Sequence, residues 1–189
     1  MPADGGAPLS GLQAVAHPFP PDPVHLDEVD RRLIALLAGD ARTSQRKLAR
    51  HLNMSPAAVG ERIARLERAG VIQGYTVRVG WSALGYVTAY LAVTATQGAD
   101  QAALIRSLYA LPEVEEVLVI TGSMDLLIRV RVRDHNHLRS LLLSQVWQIE
   151  GLQRTETFVE LATMPGKEGY VAGLLDLAPG RGPGGRPLR

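Results

Sequence analysis

The chain has 189 residues, 46% of them hydrophobic, a formal net charge of +1 and no cysteine. Without cysteine, disulfides, thiolate metal sites and a cysteine nucleophile are excluded, which suits a reducing compartment. No apolar run reaches the roughly 20 residues of a membrane-spanning helix, and the N-terminus lacks a secretory signal's basic start and apolar stretch, so a cytoplasmic protein with no membrane partner is expected.

The near-neutral total hides an uneven distribution. Between Arg42 and Arg68 seven Arg and Lys stand against Glu61 and Glu67, whereas between Tyr86 and Thr163 six Arg stand against nine Asp and Glu. A basic segment beside an acidic one predicts two domains with different partners, the basic one suited to a polyanion.

Residues 1–25 carry six of the twelve prolines and little hydrophobic periodicity, which predicts a disordered extension. From Leu26 the pattern is helical. Val29, Leu33, Leu36 and Leu37 recur at 3/4 spacing, with Asp27 placed to cap the start and Asp30 three residues on. A second helix is expected over about Ser44–Leu52, with Leu48, Ala49 and Leu52 inward. A third is expected over about Pro56–Ala69, with Val59, Ile63 and Leu66 on one stripe and Gly70 as its stop. An extended stretch, Val71–Val79, follows.

These helices have the form of a helix-turn-helix. Ala49 supplies the small residue at the crossing. Asn53-Met54-Ser55 supplies the turn, with Asn53 tolerant of a positive φ. Ser55 can cap the third helix and Pro56 fits its first turn. With the apolar stripe inward, Ala57, Ala58 and Glu61 lie on the open face, Arg62 and Arg65 flank it and Arg68 extends it. Small residues at the leading end admit base edges, and arginine bonds guanine or phosphate. Arg42, Arg46, Lys47 and Arg50, on or before the second helix, are placed for phosphates. Double-stranded DNA is therefore the expected partner, although each arginine taken alone also fits a solvated helix face.

After a linker over 76–85, strands alternate with helices: Tyr86–Thr96 strand, Asp100–Ala110 helix, Val114–Thr121 and Leu126–Val132 strands, Asp134–Gln148 helix, Leu152–Leu161 strand. This order is ferredoxin-like, βαββαβ, over 86–164. Leu126, Ile128, Val130 and Val132 alternate with Arg129, Arg131 and Arg133, so one face is buried and one charged. Residues 165–189, rich in glycine and proline, predict a flexible tail in which Tyr170–Leu177 can form a turn or two of helix before Pro179. The fold class is α+β: a winged-type helix-turn-helix domain over 26–75, then the ferredoxin-like domain.

No catalytic or cofactor motif emerges. His135 and His137, two residues apart at a helix start, point to different faces and do not make a metal pair. Glu113, Glu115 and Glu116 read as solvated surface, and Trp81 and Trp147 as packing anchors. The chain has no phosphate-cradling glycine motif and no nucleophile elbow. No cofactor, no metal and no enzymatic activity are expected.

The strings Leu26-Asp27 to Asp30, Asp40-Ala41-Arg42, Leu52-Asn53-Met54-Ser55-Pro56, Glu61-Arg62-Ile63-Ala64-Arg65-Leu66-Glu67 and Gly70-Val71-Ile72-Gln73-Gly74-Tyr75 resemble the Lrp/AsnC family of transcriptional regulators, and the βαββαβ half fits the same resemblance over about 26–164. The resemblance implies a bacterial or archaeal DNA-binding regulator, cytoplasmic and nucleoid-associated. It also implies a homodimer formed through the second domain and assembling to a tetramer or octamer, with an amino acid or related small molecule bound between dimers. The loop matching that site is Gly122-Ser123-Met124-Asp125. The family's loop is often Gly-Asp-x-Asp, so Ser123 departs from the pattern while Asp125 keeps it. The linker's Asn-Pro is here Gly80-Trp81-Ser82, and the Leu-Pro-Gly before the last strand is Ile149-Glu150-Gly151.

Physically, Gly122 allows a backbone closed to other residues, Asp125 can pair with an α-ammonium, and Thr155 and Thr157 can add hydroxyls. A plain turn in which Asp125 caps backbone groups is the alternative. Two other functions share the architecture: a tetrapyrrole-pathway decarboxylase, and an architectural DNA protein indifferent to small molecules.

Overall fold

The computed structural model describes residues 23–176. The first 22 residues of the expected N-terminal extension, and the chain from 177 on, lie outside the described residues. The remainder divides into two compact units, one of residues 79–163 and one of 23–78 with 164–176.

In the second of these, three helices follow in chain order: α1 (Glu28–Gly39), α2 (Gln45–Leu52) and α3 (Pro56–Arg68). Each starts on a side-chain cap that occupies an otherwise orphaned N–H. Asp27 accepts from Asp30 N at 2.7 Å while Asp30 accepts from Asp27 N at 3.1 Å, a reciprocal capping box. Ser44 Oγ accepts from Lys47 N, and Ser55 Oγ from Ala58 N at 3.1 Å, with Pro56 in the first turn of α3. Asn53 ends α2 at φ 52°, ψ 47°, the only positive φ outside glycine among the described residues. Gly70, at φ 69°, ends α3, and the N–H groups of Val71 and Ile72 turn back onto Leu66 O. Leu33, Leu48, Val59 and Leu66 are wholly buried where the helices meet, each contributing about 1.5–3 kcal/mol by removing apolar surface from water.

The stretch after α3 is free of helix up to Gly80, in keeping with the extended run expected there. Residues 73–80 form no strand ladder, and Tyr75 OH donates to Glu67 at 3.0 Å. The segment expected as a flexible tail is partly folded: α6 (Tyr170–Asp176) packs against α1 within the same unit, half-burying Val171, Ala172 and Leu175.

The other unit is a four-stranded antiparallel sheet in the order β2-β3-β1-β4, from β1 (Val87–Ala95), β2 (Val114–Val119), β3 (Leu126–Val132) and β4 (Leu152–Val159). With α4 (Gln101–Tyr109) after β1 and α5 (His135–Ser144) after β3, this is the ferredoxin-like arrangement. The core lies between the sheet and its helices: Ala89, Leu91 and Val93 of β1 and Ile128, Val130 and Val132 of β3 pack with Leu104, Leu108 and Leu141. On the opposite face Arg131 bonds Glu115 at 2.6 Å and Thr88 Oγ1, Arg129 bonds Glu116 at 2.6 Å, and the Arg131 guanidinium stands 5.5 Å above the Trp81 ring.

The helix expected to reach Gln148 stops at Ser144 and is followed by a short 3-10 turn, Val146–Gln148. In this turn Val146 is completely buried and Trp147 Nε1 donates to Thr155 Oγ1 at 2.9 Å.

Candidate nucleic-acid interface and effector loop

On α3, Val59, Ile63 and Leu66 face inward, which leaves Ala57, Glu61 and Arg68 exposed on the opposite side. Gly60 and Ala64, both half-buried, fall between them at the same spacing and carry no charge to mark them in the sequence. A Cβ at Gly60 would meet nothing closer than the Gln45 side chain at 3.5 Å, so internal packing does not demand glycine there. Beside this face, Ser44, Arg46, Arg50, Asn53, Ser55 and Pro56 line an open groove of about 750 Å³ at the corner of the turn. Arg46, Lys47, Arg50 and Arg68 make no salt bridge among the described residues, and Arg42 reaches only its neighbour Asp40 at 3.9 Å.

Arg62 and Arg65 are placed differently. Ala58, Arg62 and Arg65 border a second groove with Asp27 and Met54. Arg62 Nη1 donates to Asp27 Oδ2 at 2.6 Å and to Asp30 Oδ1 at 2.7 Å, and Arg65 Nη2 donates to Asp30 Oδ2 at 2.5 Å. Burial by itself would raise the Asp30 carboxyl, but the Arg65 and Arg62 hydrogen bonds outweigh it and hold the group below its usual range. Asp27 behaves alike: burial raises it, but the bonds from Asp30 N and Arg62 outweigh that and hold it below its usual range. The Arg62 guanidinium is raised by its bonds to Asp27 and Asp30. Two of the seven cations in the basic segment, Arg62 and Arg65, are therefore held by carboxylates at the start of α1, and Arg42 lies within 3.9 Å of Asp40.

In the sheet unit the loop before β3 is closed by Ile120 N donating to Asp125 O at 3.0 Å and Asp125 N donating to Val93 O at 2.9 Å. Gly122 adopts φ 135° with open space around its Cβ position. Ser123 is exposed and Met124 half-buried. The Asp125 side chain accepts from Ala95 N at 2.8 Å through Oδ2, which is the capping arrangement weighed as the alternative. Thr155 and Thr157 stand apart from the loop: Val93 pairs with Leu126 on one side and with Thr155 on the other, so β1 lies between. Thr155 is engaged by Trp147, and Thr157 is exposed opposite Leu91.

His137 Nε2 lies 2.9 Å from Glu113 Oε1 while Nδ1 accepts from Arg133 N, so both ring nitrogens have partners within the unit. Among the described residues no group of three His, Cys, Asp or Glu could hold a metal, and no helix is long and apolar enough to cross a membrane.

A capped helix-turn-helix with free cations, joined in one chain to a βαββαβ unit, defines a DNA-binding regulator that carries a separate small-molecule domain. Comparison with known proteins gives the same division. Residues 26–73 match the winged helix-turn-helix DNA-binding family model, and residues 88–166 match the Lrp/AsnC ligand-binding domain. An uncharacterized HTH-type transcriptional regulator of Pyrococcus abyssi is 34% identical over 78% of this chain and 92% of its own length. Regulatory protein AsnC of Escherichia coli is 30% identical over 72% of this chain and 90% of its own length. Its structure superposes with a TM-score of 0.70, 28% identity, and coverage of 76% of this chain and 97% of that one. A Neisseria meningitidis regulator solved in complex with L-Met shares the fold at a TM-score of 0.70 and 21% identity, over 77% and 96% of the two chains. The chain belongs to the Lrp/AsnC family of transcriptional regulators.

Proposed function

We propose that α3 reads DNA through its outward face, the exposed Ala57, Glu61 and Arg68 with the half-buried Gly60 and Ala64 beside them and Ala58 at its margin. Ser55 presents the start of the helix, and Arg42, Arg46, Lys47 and Arg50 hold phosphates. The observation that carries this reading is the small, exposed leading face of α3 beside a groove whose arginines have no internal carboxylate. A homodimer would set two such helices on half-sites about one helical turn, roughly 34 Å, apart. The helix-free sheet face supports dimerisation through that unit, since Leu118 and Phe158 are exposed on it. Further assembly to a tetramer or octamer, and a place in the cytoplasm at the nucleoid, complete this reading.

The effector is an amino acid or a close relative, held at Gly122-Ser123-Met124-Asp125 between subunits. Asp125 Oδ1 takes the ammonium while Oδ2 keeps its bond to Ala95, loop N–H groups hold the carboxylate, and Thr157 offers a hydroxyl across the interface. The protein acts by binding and shifting populations, not by catalysis. Fluorescence anisotropy with a duplex selected from a random pool, run with and without each protein amino acid, tests both halves. Specific binding altered by one amino acid supports the reading. Specific binding indifferent to all of them favours an architectural protein, and a visible absorption change on adding a tetrapyrrole favours the decarboxylase.

A further inference from the structure

We propose that Asp30, a residue of α1 remote from the exposed face of α3, is a positioning residue for DNA reading: it locks the rotation of α3 through Arg62 and Arg65. The proposal rests on α3 being the helix that reads DNA. Only 1% of Asp30 is exposed, and both carboxylate oxygens are committed. Oδ1 accepts from Arg62; Oδ2 accepts from Arg65 and from Asp27 N. A carboxylate so buried is a poor means of adding stability, because desolvation offsets much of the attraction and an apolar side chain packs as well. It does supply directional, bidentate-type anchoring that an apolar contact does not.

Arg62 and Arg65 are three residues apart on one flank of α3, so their side chains leave the helix on the same side. Tying both to a single buried carboxylate fixes the turn of α3 about its own axis as well as its distance from α1. A helix with side chains has a radius of about 5–6 Å, so a rotation of about 20° moves its outer atoms by about 2 Å. Base-edge hydrogen bonds do not survive such a displacement, whereas phosphate contacts through long side chains readjust. The same pairing keeps two guanidinium groups out of the phosphate-neutralising set.

The test compares wild type and Asp30→Asn on a selected duplex and on a scrambled duplex of equal length across a salt series. Expected for Asp30→Asn is a tenfold or greater loss on the selected duplex and no loss on the scrambled one. Its salt slope should steepen by up to about two, roughly 0.9 for each freed arginine that finds a phosphate. An equal loss on both duplexes, with unchanged slope, overturns the proposal. Should Asp30→Asn not fold by helical circular dichroism, Arg65→Gln, which keeps the Arg62–Asp30 pair, takes its place. A fall in the selected-to-scrambled ratio without a shallower slope supports positioning. A slope shallower by about one on both duplexes, with the ratio kept, makes Arg65 a phosphate contact and overturns it. Wild-type protein that selects no duplex at all overturns the DNA reading of α3 itself, a result separate from either variant outcome.

Discussion

Asp125 and Ala95, thirty residues apart, are joined by a 2.8 Å hydrogen bond from the Ala95 N–H to Oδ2 of the carboxylate, which pins the loop before β3 to the end of β1. The second oxygen, Oδ1, is left for other work. Asp125→Ala removes both functions and Asp125→Asn removes only the charge, because an amide oxygen still accepts from Ala95. We expect Asp125→Ala to destabilise the sheet unit by about 1 kcal/mol and Asp125→Asn to leave its melting nearly unchanged. Both should abolish any amino-acid-induced thermal shift. A shift that survives in Asp125→Asn moves the ammonium site elsewhere.

Asn53 closes α2 in the left-handed region at φ 52°. Asn53→Ala places a Cβ where the backbone disfavours it and should lower the stability of the helical unit by about 1–2 kcal/mol. Asn53→Gly should be close to neutral. Urea unfolding followed at the helical circular dichroism band checks the pair, and equal midpoints for both variants would contradict this account of the turn.

Ser55 caps α3 through its 3.1 Å bond from Ala58 N and sits at the edge of the groove beside the exposed face. Ser55→Ala should destabilise the helical unit by about 1 kcal/mol. Ser55→Asp restores the cap but places an anion where DNA phosphates are proposed to lie. Its stability should therefore recover while its DNA affinity falls below that of Ser55→Ala, as read by parallel melts and anisotropy.

The capping box and the Arg62–Asp27 and Arg65–Asp30 pairs carry a pH signature. Both carboxyls are held below their unfolded values, of about 3.9 for aspartate, so the unfolded chain binds more protons as the solution is acidified. Their contribution is fully present above about pH 4 and is lost as pH falls through the lower folded values. Asp30→Asn should flatten the acid limb of stability against pH for the helical unit and leave the limb near neutrality unchanged. Urea midpoints measured between acid and neutral pH check this.

Much of this architecture was legible residue by residue. Asp27, Ser44 and Ser55 announce their helices because a cap acts over three residues, and Asn53 and Gly70 announce the stops because a positive φ is a property of a single residue. The alternation along β3 gave its buried and charged faces for the same local reason. Where the cations went was not legible. Counting from Arg42 to Arg68 omitted Asp27 and Asp30, so Arg62 and Arg65 were read with the DNA face, when the fold pairs them with carboxylates more than thirty residues away. Gly60 and Ala64 carry no charge signal, because what they contribute to the face of α3 is the near absence of a side chain.

By itself the sequence determined most of the elements, the helix caps and turns, the two-part division and the family. These depend on short-range backbone preferences and on the hydrophobic period, both written in neighbouring residues. Only the tertiary structure decided which arginines are free and which are bound, that Asp125 holds Ala95, that α5 stops at Ser144 and Trp147 meets Thr155, and that Tyr170–Asp176 packs on α1. Most of these join residues of different elements. A periodic pattern states which face a side chain takes, but its partner is set by how the elements dock, where burial and charge are balanced across the whole unit.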